Sequence, residues 1–322
     1  MNKKIKMIDL FSGAGGLTLG FFQNDFEIVE SVESDICAVK TFNYNFKRSD
    51  IPKDITDETI RQNIEDKHKN KIDAVIGGFP CQGFSIAGKR DPSDPRNQLY
   101  KYTIDIIKRT NPKYFVLENV KGILSMEKGE VIKRIQSSLS EIGYYTSYTL
   151  ATSSKFGVPQ KRQRVFFIGS SFQNKNKVDL CINLINSHTE QTITVREAIS
   201  DLQNVQENYL PNHIFTKNSP QYLERIKKLK VGETLSKSYA DAYKRIDYDA
   251  PSPTVKENHG GVFIHPIENR FFTPRELAGL QTFPDDFIFC ANKSQTLKQI
   301  GNAVPVKMAY EIASIVKKVF ES

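Results

Sequence analysis

The sequence predicts an α/β fold, a doubly wound and mostly parallel sheet joined to a second, smaller and irregular domain. Three observations carry this. Short apolar runs alternate with amphipathic stretches through the first half of the chain, as in a parallel sheet covered by helices on both faces. A glycine-rich loop, Ser12-Gly13-Ala14-Gly15-Gly16, joins the first apolar run to the first amphipathic stretch. After about Phe172 the alternation stops and a polar, weakly periodic region takes over.

Residues 5–11, 27–32, 72–76, 114–117 and 165–168 are short apolar runs and read as strands, with 144–150, rich in Tyr and Thr, as an added one. Residues 17–22, 36–46, 98–107 and 131–142 have helical spacing. Beyond Phe172 only 195–202 and 222–229 read as helices before pattern returns at 273–280, where Thr273 caps a helix with Pro274 in first position. The C-terminus repeats the device: Asn302 as cap, Pro305 early, then an apolar face through Met308, Ile312, Ile315, Val316 and Val319. That face is expected to cover the first lobe. The division that follows is a domain of residues 1–172 completed by 296–322, and a smaller domain of 173–295 whose variable part spans about 173–245.

A chain of 322 residues with 39% hydrophobic and 25% charged residues can bury a full core and split into lobes. No apolar run approaches the length that crosses a bilayer, and the basic N-terminus leads into a short strand-like run, not a signal peptide. A cytoplasmic protein is expected. Cys37, Cys81, Cys181 and Cys290 lie far apart with no Cys-x-x-Cys, which argues against a disulfide framework or a zinc site. His68, His188, His213, His259 and His265 are equally scattered, and no metal is expected. Of the net charge of +8, +6 falls in residues 1–171. The interval between Glu141 and Asp179 holds no acid but carries Lys155, Lys161, Arg162, Arg164, Lys175 and Lys177. Such a stretch suits a phosphate backbone, although the solvated surface of a basic protein would look the same.

Two strand ends carry chemistry. The glycine loop lets a ligand approach the backbone at a helix N-terminus, and Glu33, at the end of the second strand, is placed to bond both hydroxyls of a ribose. This points to a nucleoside cofactor without separating a nicotinamide from S-adenosylmethionine; the full G-x-G-x-x-G spacing is missing. In Gly77-Gly78-Phe79-Pro80-Cys81-Gln82-Gly83-Phe84-Ser85, a cysteine stands on a sharp turn at a strand end, followed by Lys89, Arg90 and Arg96, which favour its thiolate. Alone, that cysteine is as readily a small packed residue.

Three further clusters settle the choice: Leu117-Glu118-Asn119-Val120, Gln160-Lys161-Arg162-Gln163-Arg164 and Gln299-Ile300-Gly301-Asn302-Ala303. Glycine loop, Pro-Cys-Gln, Glu-Asn-Val, Gln-x-Arg-x-Arg and Gly-Asn-Ala, in this order, resemble the DNA cytosine-5 methyltransferases of bacterial restriction-modification systems. The resemblance covers nearly the whole chain except residues 173–245. It implies a Rossmann-like, S-adenosylmethionine-dependent methyltransferase domain and a DNA-recognition domain. It further implies base flipping from a short specific duplex sequence, action as a monomer, and a restriction endonuclease as possible genetic partner.

The chemistry explains the residue types. Carbon 5 of cytosine is a poor nucleophile until a thiolate adds at C6, and Cys81 would supply that thiolate. Glu118, as a carboxylic acid, would assist at N3; on its own it reads equally as a strand-end carboxylate paired with an arginine. By resemblance Arg164 contacts the base's O2, Arg162 anchors nearby and Asn119 braces the cysteine loop. Also by resemblance, Phe11, Gly13, Gly15, Glu33, Asp54, Ile55, Leu99 and Asn302 line the cofactor pocket, with Asp50-Ile51 a competing alignment for Asp54-Ile55. The basic segments 89–109 and 155–177 would hold phosphates on both sides of the flipped base. Competing readings are an RNA (tRNA) cytosine-5 methyltransferase, a catalytically silent DNA-binding relative, and a nicotinamide-dependent oxidoreductase, which would have no use for Pro80-Cys81 or the paired arginines.

Overall fold

In the computed structural model, residues 4–80, 98–235, 243–257 and 263–321 are described. Six strands form one sheet: β1 (Ile5–Leu10), β2 (Phe26–Val32), β3 (Ala74–Gly78), β4 (Tyr114–Val120), β5 (Tyr144–Thr152) and β6 (Gln163–Ser171). Their order is β2-β1-β3-β4-β6-β5. Pairings among β2, β1, β3 and β4 are parallel, and β6 runs antiparallel to both its neighbours.

Alternation along the strands builds two cores. Met7, Ile76, Val116, Phe166 and Ile168 face one side, covered by α1 (Gly16–Phe22), α6 (Lys175–Ser187) and α11 (Val306–Phe320). Ile8, Val75, Phe115, Leu117, Val165 and Phe167 face the other, covered by α3 (Glu58–His68), α4 (Leu99–Thr110) and α5 (Glu130–Glu141). Because the strands are buried on both faces, they read as continuous apolar runs. Helix α2 (Ile36–Phe46) follows β2 and contributes Phe42 to the first core.

A third cluster makes the second lobe. It gathers Val195 and Ile199 of α7 (Val195–Ile199), Ile226 of α8 (Pro220–Lys227), Leu277 and Leu280 of α9 (Pro274–Leu280), and Leu297 and Ile300 of α10 (Lys293–Asn302). Among its described residues, β pairing is limited to isolated bridges such as Arg245 with Ile264. Thr273 caps α9 through a full capping box with Glu276, and Pro274 sits in its first turn.

Four expectations are corrected. Helix α3 is missing from the sequence reading because only Arg61 and Ile64 on it are buried, too little to mark an apolar stripe. Helix α6 lies beyond the expected boundary at 172, yet Val178, Cys181, Ile182 and Ile185 pack into the sheet's core. Asn302 ends α10 and caps nothing; the last helix begins after Pro305, which itself occupies the cap position. Residues 296–302, expected in the sheet domain, belong to α10, whose apolar side joins the second lobe. Among the described residues no helix is long and apolar enough to cross a membrane.

Candidate active site

Strands β3 and β4 end side by side, with Gly78 opposite Glu118. From Gly78 the chain runs through Phe79 and Pro80 into Cys81, which with Lys89, Arg90 and Arg96 lies outside the described residues. Up to that point it is firmly held. Phe79 is buried, its ring 6.4 Å from that of Phe167. The buried Asn119 donates from Nδ2 to the Phe79 carbonyl at 3.0 Å and accepts the Val120 N–H at 2.8 Å. Asn119 thus braces the segment that enters Cys81.

Glu118 is 8% exposed, and its Oε1 lies 2.7 Å from Arg164 Nε. Burial pushes its carboxyl above the ordinary range; the Arg164 and Arg162 guanidinia pull it back, and burial prevails. A Cβ at Gly78 would come within 2.9 Å of Glu118 Oε2, so the glycine leaves the carboxyl its place at the strand ends. The cross-strand pairing of Val120 with Arg164 brings Arg164 to the same edge.

Arg162 is held differently. Its guanidinium is fully buried and donates to the carbonyls of Val255 at 2.7 Å, Gly301 at 2.9 Å and Asn302 at 3.5 Å. Burial lowers its pKa well below the usual value. With both terminal nitrogens bonded to backbone carbonyls, it is a strut between the start of β6, the second lobe and the end of α10, while its charge still acts on Glu118. Two buried glutamines missed in the sequence complete this hub. Gln160 Nε2 donates to Gln281 Oε1 at 2.8 Å and its Oε1 accepts from Val255 N–H at 2.9 Å; Gln281 Nε2 reaches the Ile300 carbonyl at 2.6 Å. Gln160 stands in a quoted motif, but no local spacing reveals a partner 121 residues away.

The proposed cofactor residues gather at the end of β1, on the same edge of the sheet as Gly78 and Glu118, because β1, β3 and β4 run parallel and Leu10 pairs with Gly77. Gly15, at φ +99°, precedes α1, and a Cβ there would strike the Phe46 ring at 2.3 Å. A Cβ on Gly16 would meet the Val304 carbonyl at 2.5 Å, so the glycine loop packs on the segment that follows Asn302. Glu33 Oε2 accepts the Gly13 N–H at 2.9 Å and Oε1 the Asp35 N–H at 2.8 Å. The Ser34 N–H acts on the same carboxyl, and a carboxylate has about four acceptor sites, so capacity remains for a ribose hydroxyl. Phe11, Ile55 and Leu99 share one apolar cluster with Val32 and Phe79. The competing alignment is disfavoured: Ile51 is 68% exposed, and Asp50 is paired with Arg48 at 2.5 Å. Asp54 is exposed and caps the turn at Thr56, and Asn302 is exposed at the end of α10. An open loop over Gly13, a diol-binding acid and apolar walls fit a nucleoside such as S-adenosylmethionine.

The basic segments fare less well. Lys177 lines a cleft with Lys113, Tyr114 and Gly143, where β4 begins, at the strand end opposite to Glu118. Arg109 is committed to Glu58 at 2.6 Å and Asp105 at 2.8 Å. Lys177 therefore lies at the sheet edge away from Glu118, and the Arg109 charge is already paired. His188, Glu190 and Glu311 come within 4.8 Å of one another, but Lys307 already holds Glu311 at 2.5 Å.

Comparison with known proteins agrees along the whole length. The sequence model of the C-5 cytosine-specific DNA methylases matches residues 5–318. The type II methyltransferase M1.HphI of Haemophilus parahaemolyticus is 39% identical, over 97% of this chain and 86% of its own. The type II methyltransferase M.DdeI of Desulfomicrobium norvegicum is 31% identical, over 99% and 90%. Among solved structures, a prophage-encoded protein of E. coli named as a DNA modification methyltransferase superposes with a TM-score of 0.81 at 28% identity, covering 99% of this chain and all of that one.

Proposed function

The chain belongs to the C-5 cytosine-specific DNA methylase family, and from that premise we propose how its own residues divide the reaction. The enzyme methylates cytosine in DNA, which sets aside the oxidoreductase and RNA readings. S-adenosylmethionine, when bound, would supply an electrophilic methyl group. The glycine loop, Glu33 and Asn302 would hold it, Glu33 at the ribose and Phe11, Ile55 and Leu99 at the adenine. Cys81 adds as thiolate to C6 of a flipped cytosine, forming a C–S bond and moving electron density onto C5. Glu118, favoured in its protonated form by burial, donates to N3 as charge develops there. Arg164 orients Glu118 and reaches the base's O2, while Asn119 holds the cysteine segment. Carbon 5 would then take the methyl group, its new C–C bond replacing the sulfonium S–C bond and leaving S-adenosylhomocysteine. Loss of the C5 proton to water, return of the N3 proton to Glu118 and breaking of the C6–S bond would release 5-methylcytosine and the Cys81 thiolate.

The observation that carries this reading is the buried Glu118–Arg164 pair facing the strand that leads into Cys81. DNA with 5-fluorocytosine at the target should trap a covalent protein–DNA adduct, and Cys81→Ser should abolish both adduct and methylation. An active enzyme that gives no adduct would remove Cys81 from its role. Glu118→Gln should lower turnover by roughly 10²–10⁴-fold, the range of general acid–base groups; near-normal turnover would leave Glu118 only its structural pair with Arg164.

We further place the protein in the cytoplasm as a monomer. It would protect a short duplex sequence as the modification half of a restriction-modification pair. Support for the modification role comes from the relatives, which are named as type II methyltransferases. The catalytic and recognition domains divide in this reading near the end of α6, and residues between α6 and Tyr248 read the flanking bases. Bisulfite sequencing of a plasmid from expressing cells reports base and context together. Exchanging this block with that of a relative of different specificity should move methylation to the donor's sequence. A folded, active chimera that kept the original context would put recognition elsewhere.

A further inference from the structure

Gln299 lies one turn before Asn302 on α10, and its amide joins two parts of the molecule. Its Oε1 accepts the Thr41 hydroxyl at 2.9 Å, and that hydroxyl accepts the Cys290 N–H at 2.9 Å. Both side chains are buried, Thr41 fully and Gln299 to 7% exposure. The amide Nε2 is buried without a partner. A hydrocarbon side chain would fill the same space with no orphaned donor, so the polar group needs a reason. The Gln299 carbonyl also accepts the Ala303 N–H at 3.1 Å, fixing the segment that packs on Gly16.

The neighbouring Lys298 grips the same helix. Its Nζ reaches Asp35 Oδ2 at 2.8 Å, while Asp35 Oδ1 caps α2 at the Cys37 N–H. The Asp35 N–H is the group that holds Glu33. Two consecutive residues of α10 therefore fix α2, and with it the acid side of the cofactor cleft. Lys298 is half-exposed, where such pairs contribute little; the buried Gln299–Thr41 bond is the stronger tie.

We propose that Gln299 is a cofactor-positioning residue, holding Glu33 and Asn302 at a fixed separation through its bond to Thr41. This rests on the reading that S-adenosylmethionine occupies the cleft between them.

The test is a mutant cycle read by calorimetry with S-adenosylhomocysteine, alongside melting temperature and steady-state kinetics. Gln299→Met and Thr41→Val each remove the bond with little change of volume. Each should weaken S-adenosylhomocysteine about tenfold, the upper end for losing one buried hydrogen bond. The double variant should be no worse than the poorer single one, because the two side chains act as a unit. Thr41→Ser, which keeps the hydroxyl, should bind as wild type. In turnover the effect should fall on the KM for cofactor, leaving kcat at saturation and the KM for DNA in place. Unchanged affinity, additive losses, or losses that follow melting temperature alone would overturn the proposal. If Gln299→Met does not fold, the Thr41→Val and Thr41→Ser pair decides. Glu33→Ala is the control. If it leaves S-adenosylhomocysteine binding intact, the cleft reading fails and takes the proposal with it; if it abolishes binding while Thr41→Val does not weaken it, the proposal alone fails.

Discussion

The two lobes are held together in different ways. In the sheet lobe the work is done by apolar side chains alternating across buried strands, such as Met7 with Ile8 or Val116 with Leu117. The second lobe has an apolar cluster too, but its segments are joined by buried polar side chains bonded to backbone. Arg245 donates to the carbonyls of Ile226 at 2.8 Å and His265 at 2.9 Å, and to Asn269 Oδ1 at 2.8 Å. Arg275 donates to Pro284 and Phe287, and Asn212 both donates to and accepts from Phe289. A lobe with little β pairing among its described residues leaves many backbone groups unpaired, and these side chains satisfy them. What the contrast teaches is that one lobe is specified by pattern and the other by individual residues.

Single substitutions should therefore fail differently. Arg245→Met removes the donors from several buried acceptors at once, a loss of roughly 5 kcal/mol if two or three stay unpaired. The expected result is loss of DNA binding and methylation with S-adenosylhomocysteine binding retained in the sheet lobe. Calorimetry and DNA mobility shift on the same preparation check this. If cofactor binding disappears as well, the lobes unfold as one unit and the contrast is only architectural. Phe166→Ala, in the fully buried sheet core, should cost about 4 kcal/mol through lost transfer energy and cavity. Here cofactor and DNA binding should fall together, since both depend on the sheet; a variant that keeps cofactor affinity while losing DNA would reverse the assignment.

The same difference decides what was legible in the sequence. Strands β1 to β6 and helices α1, α2, α4 and α5 follow from runs and periodicity: burial on two faces gives the central strands β3 and β4 continuous apolar runs, and the edge strand β5 alternates. Helix α6 was lost because a polar composition hid a stripe of four buried residues. The strand-end residues Glu33, Glu118 and Asn119 stood out because polar groups ending apolar runs are conspicuous. What Arg162 anchors was not legible for the opposite reason: its partners at Val255, Gly301 and Asn302 are distant in sequence. Asn302 and Pro305 suggested a cap followed by a helix start, but Pro305 sits at the cap and α10 already occupies Asn302. In the second lobe, Arg245 was one basic residue among several until its carbonyl partners were visible.

The sheet lobe has a buried polar group of its own, and it offers the smallest and sharpest test. Asp9, at the end of β1 beneath the glycine loop, is 1% exposed and accepts a hydrogen bond from the Thr18 hydroxyl on one oxygen; its Oδ1 has no partner. Burial, reinforced by the nearby Glu33 carboxylate and opposed by Thr18, pushes its pKa up to about 7. The folded state therefore holds this proton more tightly than the unfolded chain does. The resulting stability is complete below the unfolded value near 4 and is lost as pH rises through 7. Asn at this position keeps the shape without the titration. Between pH 6 and pH 8 the stability of wild type relative to Asp9→Asn should fall by about 1.4 kcal/mol, one pKa unit of linkage. Urea unfolding of both proteins across that range measures it. A difference that stays flat with pH would mean Asp9 is ionised throughout, its charge satisfied by the loop, and the sheet lobe would then share the second lobe's reliance on buried charge.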